Sequence, residues 1–171
     1  MKVSELGEFG LIELLAKKVA SSQQNQASAR QLIIGIGDDA AAWQGNGAVQ
    51  LATTDSMVQD VHFSLATTPW YELGWKALAI SLSDIAAMGG VPRYALVTLV
   101  LPPDSEVEDV TTLFQGIVGL AEPSGVAIVG GDIVRASLIV ITTTVTGSVA
   151  DREHVLTRSA AKPGDKIAVT G

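Results

Sequence analysis

The sequence predicts an α/β (α+β) fold: a mixed β-sheet with helices packed on it. Strand-like apolar runs bounded by Gly, Pro and polar residues recur at 32–37, 49–55, 94–102, 126–132, 138–150 and 166–171. Amphipathic helical patterns interrupt some of these runs but not others, so the order is helix, two strands, helix, strand, helix, three strands. That order departs from a regular doubly wound repeat. The 171 residues, 47% hydrophobic and 17% charged, suit one globular domain able to bury a core without staples.

Taken in order, LIELLAKKVA (11–20) is a short amphipathic helix and SSQQNQASAR (21–30) a polar surface loop. LIIGIG (32–37) and VQLATTD (49–55) are strands, with GNG (45–47) as the turn between them. From Trp70 to Met88 the pattern is helical and stops at Gly89-Gly90, ahead of Pro92. YALVTLVLP (94–102) is a buried strand ended by Pro102-Pro103. A second amphipathic helix covers Glu106 to Glu122, closed by Pro123 and Gly125. VAIVGGD (126–132) is a strand running into a glycine turn, and LIVITTTVTGSVA (138–150) a long Thr/Val/Ile strand. RSAAKPGD is a polar turn, and KIAVTG (166–171) a last short strand. The chain closes on a strand and a glycine with no polar end segment, as though another domain should follow.

Composition narrows the chemistry. There are no cysteines, so disulfides, thiolate metal sites and Cys nucleophiles drop out. His62 and His154 lie far apart without zinc spacing. MKVSELGEFG has no signal-peptide apolar core, and no apolar run approaches a membrane span of about 20 residues, so the expectation is a cytoplasmic protein without a membrane partner. A net charge of −7 and no Lys/Arg run argue against nucleic acid as a partner.

Four acidic sites share one context, each following or interrupting an apolar element: Asp38/Asp39, Asp55, Asp84 and Asp132. Asp84 is the only acidic residue of ALAISLSDIAAMGGVPR, in a helix apolar nearly all round and therefore expected to be buried. A lone buried carboxylate is costly unless paired or bound to metal. Arg93 and Ser81 are its structural partners of choice. Asp55 sits in TTDS, a cluster of hard oxygens that suits Mg²⁺ or, equally, a strand-end turn. Of Asp38 and Asp39, neighbours in extended chain, only one can face a shared site, leaving the other to cap backbone or meet solvent. Gly130-Gly131-Asp132 lets backbone amides approach a phosphate but is also an ordinary turn, and neither GxxxxGK[ST] nor GxGxxG occurs. Spacing alone leaves a multi-Mg²⁺ phosphate site and scattered structural aspartates both open.

GEFGLI (7–12), GIGDDAA (35–41), TTD (53–55), VHF (61–63), SLSDIAAMGG (81–90), VGGD (129–132), LTRSAAKPGD (156–165) and VTG (169–171) occur in the order that resembles the thiamine-monophosphate kinase family, of the aminoimidazole ribonucleotide synthetase-like superfamily. The resemblance implies that 1–171 is the N-terminal ATP- and Mg²⁺-binding, dimerising domain of that fold, and that the family's C-terminal domain is absent from this chain. It implies phosphorylation of thiamine monophosphate to thiamine diphosphate with ATP as co-substrate and several Mg²⁺ ions. Matched motif by motif, Asp39, Thr53, Thr54, Asp55, Asp84 and Asp132 would hold the cations. His62 would lie at the substrate phosphate, and Gly131, Asp132 and Arg158 would contact ATP. No residue is assigned as a catalytic base. The chain departs from the family at Ser81, where NLSD is usual, and at Ile133, where GGDT is common. Competing readings are another ATP-using superfamily member, or a dimerising, nucleotide-binding module inactive alone. A selenophosphate synthetase is disfavoured by the missing cysteine.

Overall fold

The computed structural model describes residues 3–23 and 31–168. Strands β1 (Leu32–Ile34), β2 (Ala41–Gln44), β3 (Val49–Val58), β4 (Val91–Leu101), β5 (Ala127–Arg135) and β6 (Val140–Val149) form one sheet in the order β1-β2-β3-β6-β4-β5. Neighbours are antiparallel except β4 and β5, whose parallel pairing uses α3 (Val107–Ala121) as the crossover that such strands require. Helices α1 (Val3–Gln23) and α2 (Trp70–Ala87) complete the elements of the predicted mixed sheet. No helix among the described residues is long and apolar enough to cross a membrane.

β6 is central because its period-2 pattern suits a strand paired on both sides. Ile141, Thr143, Val145 and Val149 are buried toward α2. α2 lies over this face and buries Leu73, Gly74, Ala77, Leu78, Ser81 and Ile85. α3 packs beside α2 through Leu113, Gly116, Ile117 and Ala121. The opposite sheet face has no helix on it among the described residues and shows Thr54, Ser56, Tyr94 and Leu96 to solvent. Cross-strand hydroxyl pairs span it, Thr54–Thr144 at 2.9 Å and Ser56–Thr142 at 2.7 Å.

Several expectations need correction. β2 was not expected, and the Gly45–Gly47 turn joins it, rather than the 32–37 strand, to β3. The 32–37 strand ends at Ile34, and α1 begins ahead of Leu11, with a break at Gly7 (φ 72°). The predicted loop 21–30 is helical to Gln23, and the rest of it before Gln31 lies outside the described residues. Residues 166–168 form no strand, and 169–171 lie outside the described residues. α2 is not buried all round, since Ser83, Ala86 and Ala87 are exposed. The odd-numbered residues of 139–149 face the core, so the outward side of β6 carries Val140 and the hydroxyls of Thr142, Thr144, Thr146 and Ser148.

Candidate functional site

Alternation along β3 points Leu51, Thr53, Asp55 and Met57 toward α2 and Thr54 and Ser56 away. α2 answers with Asp84 and, one turn earlier, Ser81. The Thr53 hydroxyl donates to Asp84 Oδ2 at 2.7 Å, and Ser81 Oγ lies 3.4 Å from Asp55 Oδ2. Asp84 therefore takes neither Arg93 nor Ser81 as its partner. Burial, then the neighbouring Asp84 charge, pushes the Asp55 carboxyl above its ordinary value of 3.8, with Ser81 pulling the other way. Neither carboxylate has an ion pair among the described residues, so the pair holds concentrated negative charge.

A pH dependence follows. The folded chain holds the Asp55 proton more tightly than the unfolded chain does. The stability this contributes is fully present below pH 3.8 and is lost as pH rises through the raised value. Asp55→Asn, which cannot ionise, should gain stability over the parent across that window and keep the gain at neutral pH. Urea melts at a series of pH values check it, and a parent-minus-variant difference flat with pH contradicts it.

The loop after β1 holds the second group. Asp38 caps backbone, accepting from Asp39 N at 2.9 Å and from Arg158 N at 3.4 Å. Asp39 faces Arg158, whose Nε donates to Asp39 Oδ1 at 2.9 Å while a terminal guanidinium nitrogen bonds the same oxygen. Hydrogen bonding to Asp39, its charge, and those of Asp38 and Asp84 hold the Arg158 pKa above its usual value. The segment after β6 brings Arg158 here, tied to the end of α2 by Leu156 N donating to Met88 O at 3.1 Å.

The remaining predicted residues stand apart from the acid pair. Thr54 is on the other sheet face, paired with Thr144. Asp132 lies on the exposed edge strand β5, accepting from Ile133 N at 2.9 Å. It ends the cross-strand row Ser56–Thr142–Thr98–Asp132, next to the row Asp55–Thr143–Val97–Gly131. Three strand spacings, about 14 Å, separate β5 from β3. Gly131 has a structural reason to be glycine, because a Cβ there would meet Val97 O at 1.7 Å. His62 is exposed in the turn after β3, a turn in which Asp60 takes φ 62°. Its Nδ1 accepts from Val58 N at 3.0 Å, so the neutral ring carries its proton on Nε2, free to donate. Between α3 and β5 runs an apolar groove of about 1030 Å³, walled by Leu99, Val110, Phe114, Val118 and Ile128 and lined also by Gly130, Gly131 and Asp132.

Comparison with known proteins identifies the domain. The profile of "AIR synthase related protein, N-terminal domain" matches residues 37–149. The chain belongs to this family. Thiamine-monophosphate kinase of Bacillus subtilis is 41% identical over 140 residues, 81% of this chain and 43% of the relative. The protein of the same name from Aquifex aeolicus is 35% identical over 171 residues, 100% of this chain and 51% of the relative. Among solved structures, AaThiL complexed with AMPPCP and TMP matches with a TM-score of 0.81 at 33% identity, over 95% of this chain and 47% of that one. The chain spans about half the length of the curated relatives it matches. The expected aminoimidazole ribonucleotide synthetase-like fold is therefore the fold of this AIR synthase related domain.

Within that family fold, Asp55, Asp84 and Thr53 are a hard-oxygen donor set, with Ser81 fully buried behind Asp55. Among the described residues no three His, Asp or Glu side chains close on one point. Two carboxylates without a third fit Mg²⁺, which is usually held by one or two carboxylates with phosphates and water filling the other positions. Sequence reading missed Thr143, buried beside Ser81. The available signal was its phase: in the series Ile139, Ile141, Thr143, Val145, Gly147, Val149 it alone carries a side-chain hydroxyl.

Proposed function

We propose that this chain is the nucleotide- and cation-binding half of a thiamine-monophosphate kinase, moving the γ-phosphoryl group of ATP onto the phosphate of thiamine monophosphate. The observation that carries the reading is the Asp55–Asp84 pair, confined and without an ion-pair partner among the described residues, beside the Asp39–Arg158 ion pair. An acceptor phosphate oxygen forms the new bond to the γ-phosphorus as the bond to the β–γ bridging oxygen breaks. The acceptor is already ionised near neutral pH, so no strong general base is needed. Two anions must approach, and Mg²⁺ bound here supplies the charge neutralisation that lets them.

Asp39, Thr53, Asp55 and Asp84 hold cations in this reading, while Arg158 exchanges Asp39 for a nucleotide phosphate. His62 donates from Nε2 to the substrate phosphate. The groove between α3 and β5 has the size and lining of a small-molecule site and suits a purine, with Gly131 and Asp132 at its phosphate end. Asp132 and Thr54 lie on the sheet face opposite the Asp55–Asp84 pair and would hold a cation of their own, completed from a second copy of this chain. A homodimer through the helix-free sheet face, with its two-fold axis along the strands, sets β5 of one copy opposite the β3 side of the other. A cytoplasmic location belongs to the same proposal.

A coupled ADP-release assay tests the reading on this chain alone and on this chain joined to the second half of the Aquifex aeolicus relative. ADP release that depends on thiamine monophosphate is expected at least from the joined form. Silence from both overturns the kinase reading. Light scattering on the same preparations checks pairing, and a monodisperse monomer removes the dimer.

A further inference from the structure

We propose that Thr143 is a positioning residue for the Asp55 carboxylate, acting through Ser81. The proposal rests on the reading of Asp55 and Asp84 as cation ligands. Thr143 lies in the central strand with 1% of its surface exposed, and Ser81 on α2 has 0%. Val at 143 would continue the Ile141/Val145 phase at nearly the same volume and bury no polar atom, so packing does not account for the hydroxyl.

Counting hydrogens shows what it does. Each hydroxyl has one hydrogen to give. Thr143 Oγ1 donates to Ala77 O at 2.8 Å, a carbonyl of α2 one turn before Ser81. Ser81 Oγ lies 2.7 Å from Thr143 Oγ1, and either hydroxyl can be the donor between them. When the Thr143 hydrogen turns from Ala77 O to Ser81 Oγ, the Ser81 hydrogen is free for Asp55 Oδ2 at 3.4 Å or Thr143 O at 3.1 Å. Thr143 thus pins one turn of α2 to β6 through Ala77 O and Ser81, and its hydrogen is the one that lets Ser81 turn its own toward the Asp55 carboxylate. Asp84 follows Ser81 by three residues, so the same pin sets its height against Thr53. Carboxylate rotation about χ2 is soft. Without the pin, Asp55 and Asp84 would have to be oriented by the cation itself, and outer groups that orient metal ligands contribute about 10–100-fold in affinity.

The test uses Mn²⁺ alone as probe, its free concentration followed by electron paramagnetic resonance, together with urea melts of the metal-free chain. Thr143→Val should weaken Mn²⁺ binding about tenfold with the melt little changed, and Thr143→Ser should restore it. Ser81→Ala should reproduce the loss, and the double variant Ser81→Ala/Thr143→Val should lose no more than either alone, as links in series do. Should Thr143→Val fail to fold, Ser81→Ala and Thr143→Ser decide the matter. Parent-like Mn²⁺ affinity in Ser81→Ala or Thr143→Val, or no restoration by Thr143→Ser, overturns the positioning role and leaves the cation reading standing. No Mn²⁺ binding by the parent chain overturns both.

Discussion

Asp84→Asn should weaken metal-dependent nucleotide binding by about two orders of magnitude, roughly 3 kcal/mol, while the fold survives. The substitution keeps the shape of the side chain and an oxygen to accept the Thr53 hydroxyl, a contact of 2.7 Å. What it removes is one of two facing negative charges, the feature that calls for a cation. The metal-free chain should melt no earlier than the parent, because Asp84 acts on Asp55 as a repelling neighbour. Titration calorimetry with a non-hydrolysable ATP analogue, with and without Mg²⁺, reads the effect. Nucleotide affinity that stays at the parent value with Mg²⁺ present would make Asp84 a structural residue, and the cation reading would fail at its best-defined ligand.

How far the sequence disclosed this site depends on which contacts are local. The alternating phase of β6 and the apolar frame around Asp84 were legible because burial repeats with the period of the element. β2 was not, since Ala41-Ala42 has little strand preference and the pairing with β3 that forms it is tertiary. That Asp84 needs a partner could be read from its isolation among apolar residues, but not which partner it takes. Thr53 is 31 residues away, and only the seating of α2 over β3 brings the two together. Arg158 and Asp39 are 119 residues apart and meet because the segment after β6 returns past the end of α2. Asp132 shows the converse. Its motif resembles the others, yet the topology inserts β6 and β4 between its strand and β3, a separation that motif order does not contain.

Gly116→Ala should destabilise the chain by about 3 kcal/mol or more and lower its melting temperature by roughly 6–12 °C. Helix propensity alone argues the reverse, since Ala in a helix interior is favoured over Gly by about 1 kcal/mol. Contact geometry decides the sign. A Cβ at Gly116 would stand 1.9 Å from Tyr71 O and 2.9 Å from Trp75 N, both backbone atoms of α2 that no rotamer change can move. The contact is reciprocal, with a Cβ at Gly74 falling 1.8 Å from Leu113 O. Accommodating either methyl means separating α2 from α3. α2 also carries Ser81 and Asp84 to β3, so Mn²⁺ affinity should fall together with stability, unlike the Thr143→Val case. Gly119→Ala provides the control on the same helix. Its Cβ would meet the Tyr71 hydroxyl at 2.3 Å, the far end of an exposed side chain that can swing away, so propensity should win and the melting temperature should hold or rise. Thermal melts of the three proteins separate the cases. A Gly116→Ala chain melting with the parent would mean that α2 and α3 do not touch at Tyr71, and the seating that brings Asp84 to Thr53 would lose its support.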